Sequence, residues 1–135
     1  MYLVDTNVLS ELPKRKPDPA VVTWFSEQTV IVFSAITLEE LAFGVARAKP
    51  DQARKLKQWL DKLLGIPPVM VPMDEKIAHT AGLLRAEQEK GGKAASQADM
   101  LIAATALTTG RVLVTRNIKD FQGCGVPLLN PFSTP

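Results

Sequence analysis

Three acidic residues, Asp5, Glu40 and Asp99, stand where a carboxylate can do chemistry. Asp5 follows the apolar run Tyr2-Leu3-Val4 and precedes Thr6, Asn7 and a helix-like segment starting at Val8. It therefore sits at the carboxyl end of a first strand and at the mouth of a helix, where open α/β sheets bind ligands. Glu40 lies in SAITLEEL, just after a second strand and within the first turn of a helix. Asp99 lies in SQADMLIAATA, at the start of the most apolar helix, and is the only acid between Lys90 and Lys119. If the three helix mouths face one crevice, three carboxylates crowd together, which is costly unless something neutralises them. A divalent cation does so, and oxygen ligands without Cys or His favour Mg²⁺ or Mn²⁺. Such a centre suits hydrolysis of phosphate esters: a metal lowers the pKa of water, and a second metal can stabilise the leaving oxygen.

Helix capping is the competing explanation. Thr37-x-x-Glu40 and Ser96-x-x-Asp99 both match the capping box. Asp5 can cap the helix that follows it, at roughly 1 kcal/mol per cap. Capping accounts for each acid singly, and it does not require three of them to converge. Glu39 points about 100° away from Glu40 around a helix and is expected in solvent. The segment VTRNIKDF (114–121) adds Thr115, Arg116, Asn117 and Asp120. Asn117 or Asp120 can supply a fourth oxygen ligand or hold a water, and Arg116 can contact phosphate. The same segment also reads as a strand-to-turn passage with Phe121 in the core. Thr6, Asn7 and Thr115 can orient ligands or a water from behind, or serve turns and caps. Arg85, Lys93, Arg116 and the run Lys14 to Lys16 can contact a phosphate backbone, although that run also reads as a solvated loop. His79, Trp24 and Trp59 are expected in structural roles, and Cys124 receives none.

The positioning elements follow from periodicity. Strands are expected at Tyr2–Val4, Val30–Phe33, Val69–Val71, Arg111–Thr115 and Val126–Leu129. Helices are expected at Val8–Leu12, Pro19–Glu27, Leu38–Ala48, Asp51–Leu64, Asp74–Lys90 and Ser96–Thr108, with Gly65 and Pro67-Pro68 closing the fourth. Alternating strands and helices argue for a mostly parallel sheet of about five strands, covered on both faces. No repeat or linker divides residues 1–135, so one domain is expected. A net charge of +2 is too small to argue for nucleic acid by itself. One cysteine excludes an internal disulfide and a multi-thiolate zinc site. A strand beginning at Tyr2 leaves no room for a signal peptide, and no apolar run approaches the roughly 18 residues of a membrane span. A cytoplasmic protein is expected.

LVDTNVLSEL, SAITLEELAFGV, SQADMLIAATAL and VLVTRNIKDF, in this order and at these spacings, resemble the four signature segments of PIN-domain ribonucleases. The likeness is greatest to VapC-like toxins of type II toxin–antitoxin modules, including the FitB-like branch, and it covers essentially the whole chain. It implies a three-layer α/β/α sandwich and a Mg²⁺- or Mn²⁺-dependent endoribonuclease. It also implies a homodimer and a cognate antitoxin, a small DNA-binding protein whose C-terminal segment covers the active site. DNA would then be contacted only through the antitoxin. The family's metal ligands carry onto Asp5 and Asp99. Its second-helix glutamate carries onto Glu40, because SAIT-x-x-EL sets the register. The fourth family acid falls on Asn117, a departure for which Asp120 can compensate. That departure keeps a second reading open, a catalytically inactive PIN-like binding module. Phosphotransfer on an aspartate fits poorly, since Asp5-Thr6-Asn7 lacks the second Asp such enzymes use.

Overall fold

A computed structural model describes residues 1–65 and 69–133. It contains strands β1 (Tyr2–Val4), β2 (Val32–Ser34), β3 (Val69–Val71), β4 (Val112–Val114) and β5 (Leu128–Leu129). The helices are α1 (Thr6–Leu9), α2 (Pro19–Ser26), α3 (Ala35–Arg47), α4 (Pro50–Gly65), α5 (Glu75–Lys90), α6 (Gln97–Thr108) and α7 (Ile118–Phe121). Every strand pairing is parallel: β1 with β4, β4 with β5, and β2 with β3. The three-stranded group β1-β4-β5 and the pair β2-β3 meet where β2 lies against β1. The chain thus builds outward from β1 to one side and then the other. That reversal opens a crevice at the carboxyl ends of the strands.

The alternation within each short strand builds the layers. Leu3, Val32 and Leu113 point into one cluster with Ile77, Ala81, Met100, Ile102 and Phe121, from α5, α6 and α7. Their neighbours Val4, Phe33 and Val114 point into the other, with Val8, Leu9, Val21, Leu41 and Leu60, from α1 to α4. Successive side chains of a strand face opposite ways, and β1 and β4 meet a core cluster on each face, so these two are apolar on both sides. The result is the expected α/β/α sandwich. α6 is buried nearly all round, with Ala103, Ala104 and Ala106 inaccessible. Its end is a Schellman motif: Arg111 N–H donates to Ala106 O at 2.9 Å and Gly110 N–H to Leu107 O at 3.2 Å. Gly110 adopts φ +66°, which a side chain would resist, and so turns the chain into β4.

Several element bounds differ from expectation. α3 starts at Ala35 because Ser34, still extended, already caps it by accepting from Ile36 N–H at 2.9 Å. β2 therefore runs into α3 without a loop, and its ladder is with β3. α1 starts at Thr6 because Asp5 caps it, and it ends at Leu9. Gly65 is the last residue of α4 rather than its stop, and Pro67 and Pro68 lie outside the described residues. β5 is reduced to Leu128–Leu129, with Val126 buried before it. Trp24 packs edge-on against Tyr2 (5.4 Å between ring centroids) and Phe25 (5.2 Å), a core role, while His79 is exposed. Among the described residues no helix is long and apolar enough to cross a membrane.

Phe33 is fully buried between β2 and the α1–α4 layer. Phe33→Ala is expected to destabilise the fold by ~3–5 kcal/mol. In urea unfolding this appears as a lowered midpoint at unchanged slope.

Candidate active site

Parallel pairing brings Asp5 to Thr115. β1 and β4 run in register from Tyr2↔Val112 to Val4↔Val114, and Asp5 N–H continues the ladder by donating to Val114 O at 2.9 Å. The next residues on the two strands are therefore neighbours. The Thr115 hydroxyl donates to Asp5 Oδ2 at 2.7 Å, and Asn7 Nδ2 donates to the same oxygen at 3.2 Å. Asp5 Oδ1 accepts from Thr6 N–H at 2.7 Å. The capping expectation for Asp5 is thus met. A carboxylate offers about four lone-pair directions, so three donors still leave one for another partner.

Asp5 is 4% exposed, and its pKa is pushed up to about 6. Burial is the largest cause; the bonds from Thr115 and Thr6 offset part of it, and the charges of Asp99 and Glu40 raise it again. Asp99 and Glu40 therefore both lie within electrostatic reach of Asp5. Asp99, half-buried in the first turn of α6, is also raised, by burial first and then by Asp120, against the Ser96 hydroxyl. Ser96 Oγ accepts from Asp99 N–H at 3.0 Å, as a cap does.

Glu40 is not where the capping box would put it. With Ser34 as the cap, it falls in the second turn of α3, on the same face as Thr37, and its carboxylate caps nothing. Instead Glu40 Oε1 accepts from the Thr6 hydroxyl at 2.6 Å, and the Thr37 hydroxyl lies 3.1 Å from Thr6 Oγ1, placed to donate to it. Glu39 is exposed, as its phase requires. The buried Thr37 was read from the sequence as a cap. Its spacing of three from Glu40 was the signal that it shares that face.

Across the crevice, Asn117 N–H donates to Thr115 Oγ1 at 3.1 Å. Asn117 occupies the N-cap of α7, yet its side chain makes no capping bond and is exposed. Asn7 links the two sides: Nδ2 reaches Asp5, and Oδ1 accepts from Arg116 N–H at 3.1 Å. Arg116, Asn117, Ile118, Lys119, Asp120 and Asn130 line a groove of about 500 Å³. Two expected RNA contacts, Lys93 and Arg85, do not line this groove. Lys93 spends its ammonium on the carbonyls of Lys119 and Gln122, which close the end of α7. Arg85 borders a separate cavity of about 160 Å³ between α5 and α6, with Gln97 and Met100.

The donor set can be tested for a cation. Among the described residues no three acidic, histidine or cysteine side chains close on one point tightly enough to cage an ion alone. Mg²⁺ does not need that, since it usually keeps several waters and takes one or two carboxylates directly. A buried carboxylate with a free lone pair and two further acids raising its pKa fits such an ion.

A PIN-domain family model matches residues 2–122, and the chain belongs to that family. It is similar to VapC ribonuclease Y4jK of Sinorhizobium fredii, at 35% identity covering 98% of both chains. It is also similar to toxin FitB of Neisseria gonorrhoeae, at 32% identity covering 98% of this chain and 99% of the relative. Among solved structures, the fold matches FitAcB from Neisseria gonorrhoeae with a TM-score of 0.87 at 32% identity, covering 97% of this chain and 98% of the other. It matches VapBC2 from Rickettsia felis, bound to a DNA fragment from its promoter, with a TM-score of 0.83 at 28% identity, covering 96% and 97%.

The raised carboxyl has a stability signature. The folded Asp5 holds its proton up to about pH 6, whereas an ordinary Asp releases it near 3.8. The stabilisation from protonation is therefore complete below 3.8 and lost as pH rises through about 6. Asp5→Asn, which keeps one acceptor and stays neutral, should raise Tm above pH 7, by an amount worth at most ~3 kcal/mol. The gain should vanish near pH 4 in melts recorded across that range.

Proposed function

We propose that this protein, as a single domain over residues 1–135, is the toxin of a type II toxin–antitoxin module, a Mg²⁺-dependent endoribonuclease that hydrolyses RNA phosphodiester bonds. The observation that carries this reading is Asp5: a carboxylate buried at the switch point of a parallel sheet, its pKa pushed to about 6, with Asp99 and Glu40 adding their charge. The similarity to proteins named VapC ribonuclease and toxin FitB supports the reaction class.

Asp5, Asp99 and Glu40 would hold the ion, with Mn²⁺ as a substitute. When bound, the ion neutralises the acids, polarises the phosphate and lowers the pKa of water. The chain's own residues do the rest. Thr115, Asn7 and Thr6 N–H fix the Asp5 carboxylate plane, and Thr6 fixes Glu40 through Oε1, leaving Oε2 free to take a proton from the attacking water. Asn117, uncommitted to capping, can hold a water from the opposite side. Asp120, near enough to raise the pKa of Asp99, supplies the negative charge that Asn117 lacks. Arg116 would grip the RNA backbone.

The protein would be a cytoplasmic homodimer held inactive by a cognate antitoxin, and the solved relatives described as FitAB and VapBC2 bound to DNA fragments support the antitoxin partner. Purified protein with Mg²⁺ should cut single-stranded RNA, and chelation should stop it. Asp5→Asn and Asp99→Asn should each lose at least ~100-fold in rate while still folding. Mg²⁺ should raise Tm for the wild type but not for Asp5→Asn, and this shift should fade below about pH 6 as protons compete for Asp5. Cleavage by Asp5→Asn at the wild-type rate would exclude this chemistry.

A further inference from the structure

We infer that the C-terminal segment from Asn130 to Ser133 is a strap that presets Arg116 for an RNA phosphate, with Phe132 as the positioning residue. This rests on the ribonuclease reading for its ligand. The Arg116 guanidinium lies over the Phe132 ring at 4.5 Å from the centroid. Phe132 is 9% exposed and belongs to the core cluster on the α1–α4 side, so the ring is a fixed platform. Its N–H donates to Asn130 Oδ1 at 3.0 Å, which holds the turn. Beyond it, Ser133 N–H donates to Asp18 Oδ2 at 3.0 Å, and the Ser133 hydroxyl donates to Asp18 Oδ1.

Asp18 is itself anchored. It caps α2 through Ala20 N–H at 2.9 Å, and its own N–H donates to Glu11 Oε2 at 2.8 Å. Glu11 is 5% exposed and pairs with Lys14 at 2.8 Å. Burial pushes the Glu11 carboxyl up, but the bonds from Lys14 and Asp18 and the charges of Lys14 and Arg116 outweigh it and leave the pKa lowered. Asp18 is lowered too, by Ser133 first, with Arg116 contributing. These two negative charges draw Arg116 toward the strap, yet among the described residues Arg116 makes no ion pair. Its backbone is held to Asn7, one hydrogen bond from Asp5.

The ring lies under the guanidinium carbon, and among the described residues the guanidinium N–H groups make no hydrogen bond. Those are the groups that take phosphate oxygens in a fork. Arg116 and Lys119 then present positive charge along the groove that also contains Asn117 and Asp120. A free arginine loses side-chain freedom on gripping a ligand. One already stacked has lost much of it, so Phe132 contributes to RNA affinity without touching RNA.

A double-mutant cycle tests this by fluorescence anisotropy with a labelled single-stranded RNA, in an Asp5→Asn background that prevents cleavage. Phe132→Leu keeps an apolar side chain of similar size but removes the ring face. Its Kd should rise about threefold to tenfold, and Arg116→Ala should raise Kd about tenfold. The double variant should be no weaker than Arg116→Ala alone, and Phe132→Tyr should match the parent. In proteins retaining Asp5, Phe132→Leu should raise KM with kcat nearly unchanged. The strap has no such role if Phe132→Leu binds RNA as the parent does, if the two effects multiply, or if the parent binds no RNA. The ribonuclease reading fails separately, if the wild type cuts no RNA with Mg²⁺, and the binding cycle still decides the strap.

Discussion

The Asp5 carboxylate constrains the rest of the structure. A charge taken out of water at the end of β1 is costly unless donors meet it. The donors come from α1, from Asn7 and from the residue after β4. Each fixes something larger. Thr6 N–H requires the helix to begin at once, and Thr115 requires β4 to run in register with β1. A slip of one residue would turn Thr115 to the other face and exchange the two core clusters. The donors do not fully compensate the burial, as the raised pKa shows. What is left is a standing demand for positive charge, which a cation meets more completely than any further hydrogen bond.

The acids stand on unequal supports. Asp5 ends a strand whose neighbours are fully buried, Glu40 sits in the second turn of a 13-residue helix, and Asp99 begins a 12-residue helix that is buried nearly all round. Groups that must hold an ion gain from such rigid mounts. The opposite wall, carrying Asn117 and Asp120, stands on the four-residue α7. That helix borrows its order from Phe121 in the core, from Lys93 on its last carbonyls, and from Thr115.

What was legible in the sequence was local or periodic. β1, the apolar all-round α6 and the face of Glu40 rather than Glu39 follow from spacing alone. The placing of Asp5 and Glu40 at one edge follows too, because parallel strands put their carboxyl ends together, whereas Asp99, which begins a helix that follows another helix, could be brought to that edge only by assumption. The start of α3 was misplaced because Ser34 is both the last strand residue and the cap, and a pattern search credits it with one role. Thr37 was misread for the same reason. Lys93 looked like a free cation, since nothing in the sequence shows which lysine reaches a backbone carbonyl. The strap left no trace: Asp18 and Ser133 are 115 residues apart, and loop residues carry no period.

The bond between Thr115 and Asp5 spans 110 positions of the chain. β1 therefore stays without β4 until the residues up to Thr115 have been made. Contacts of such long sequence separation form late and slowly. A nascent chain therefore carries the first acid long before it can hold it in place.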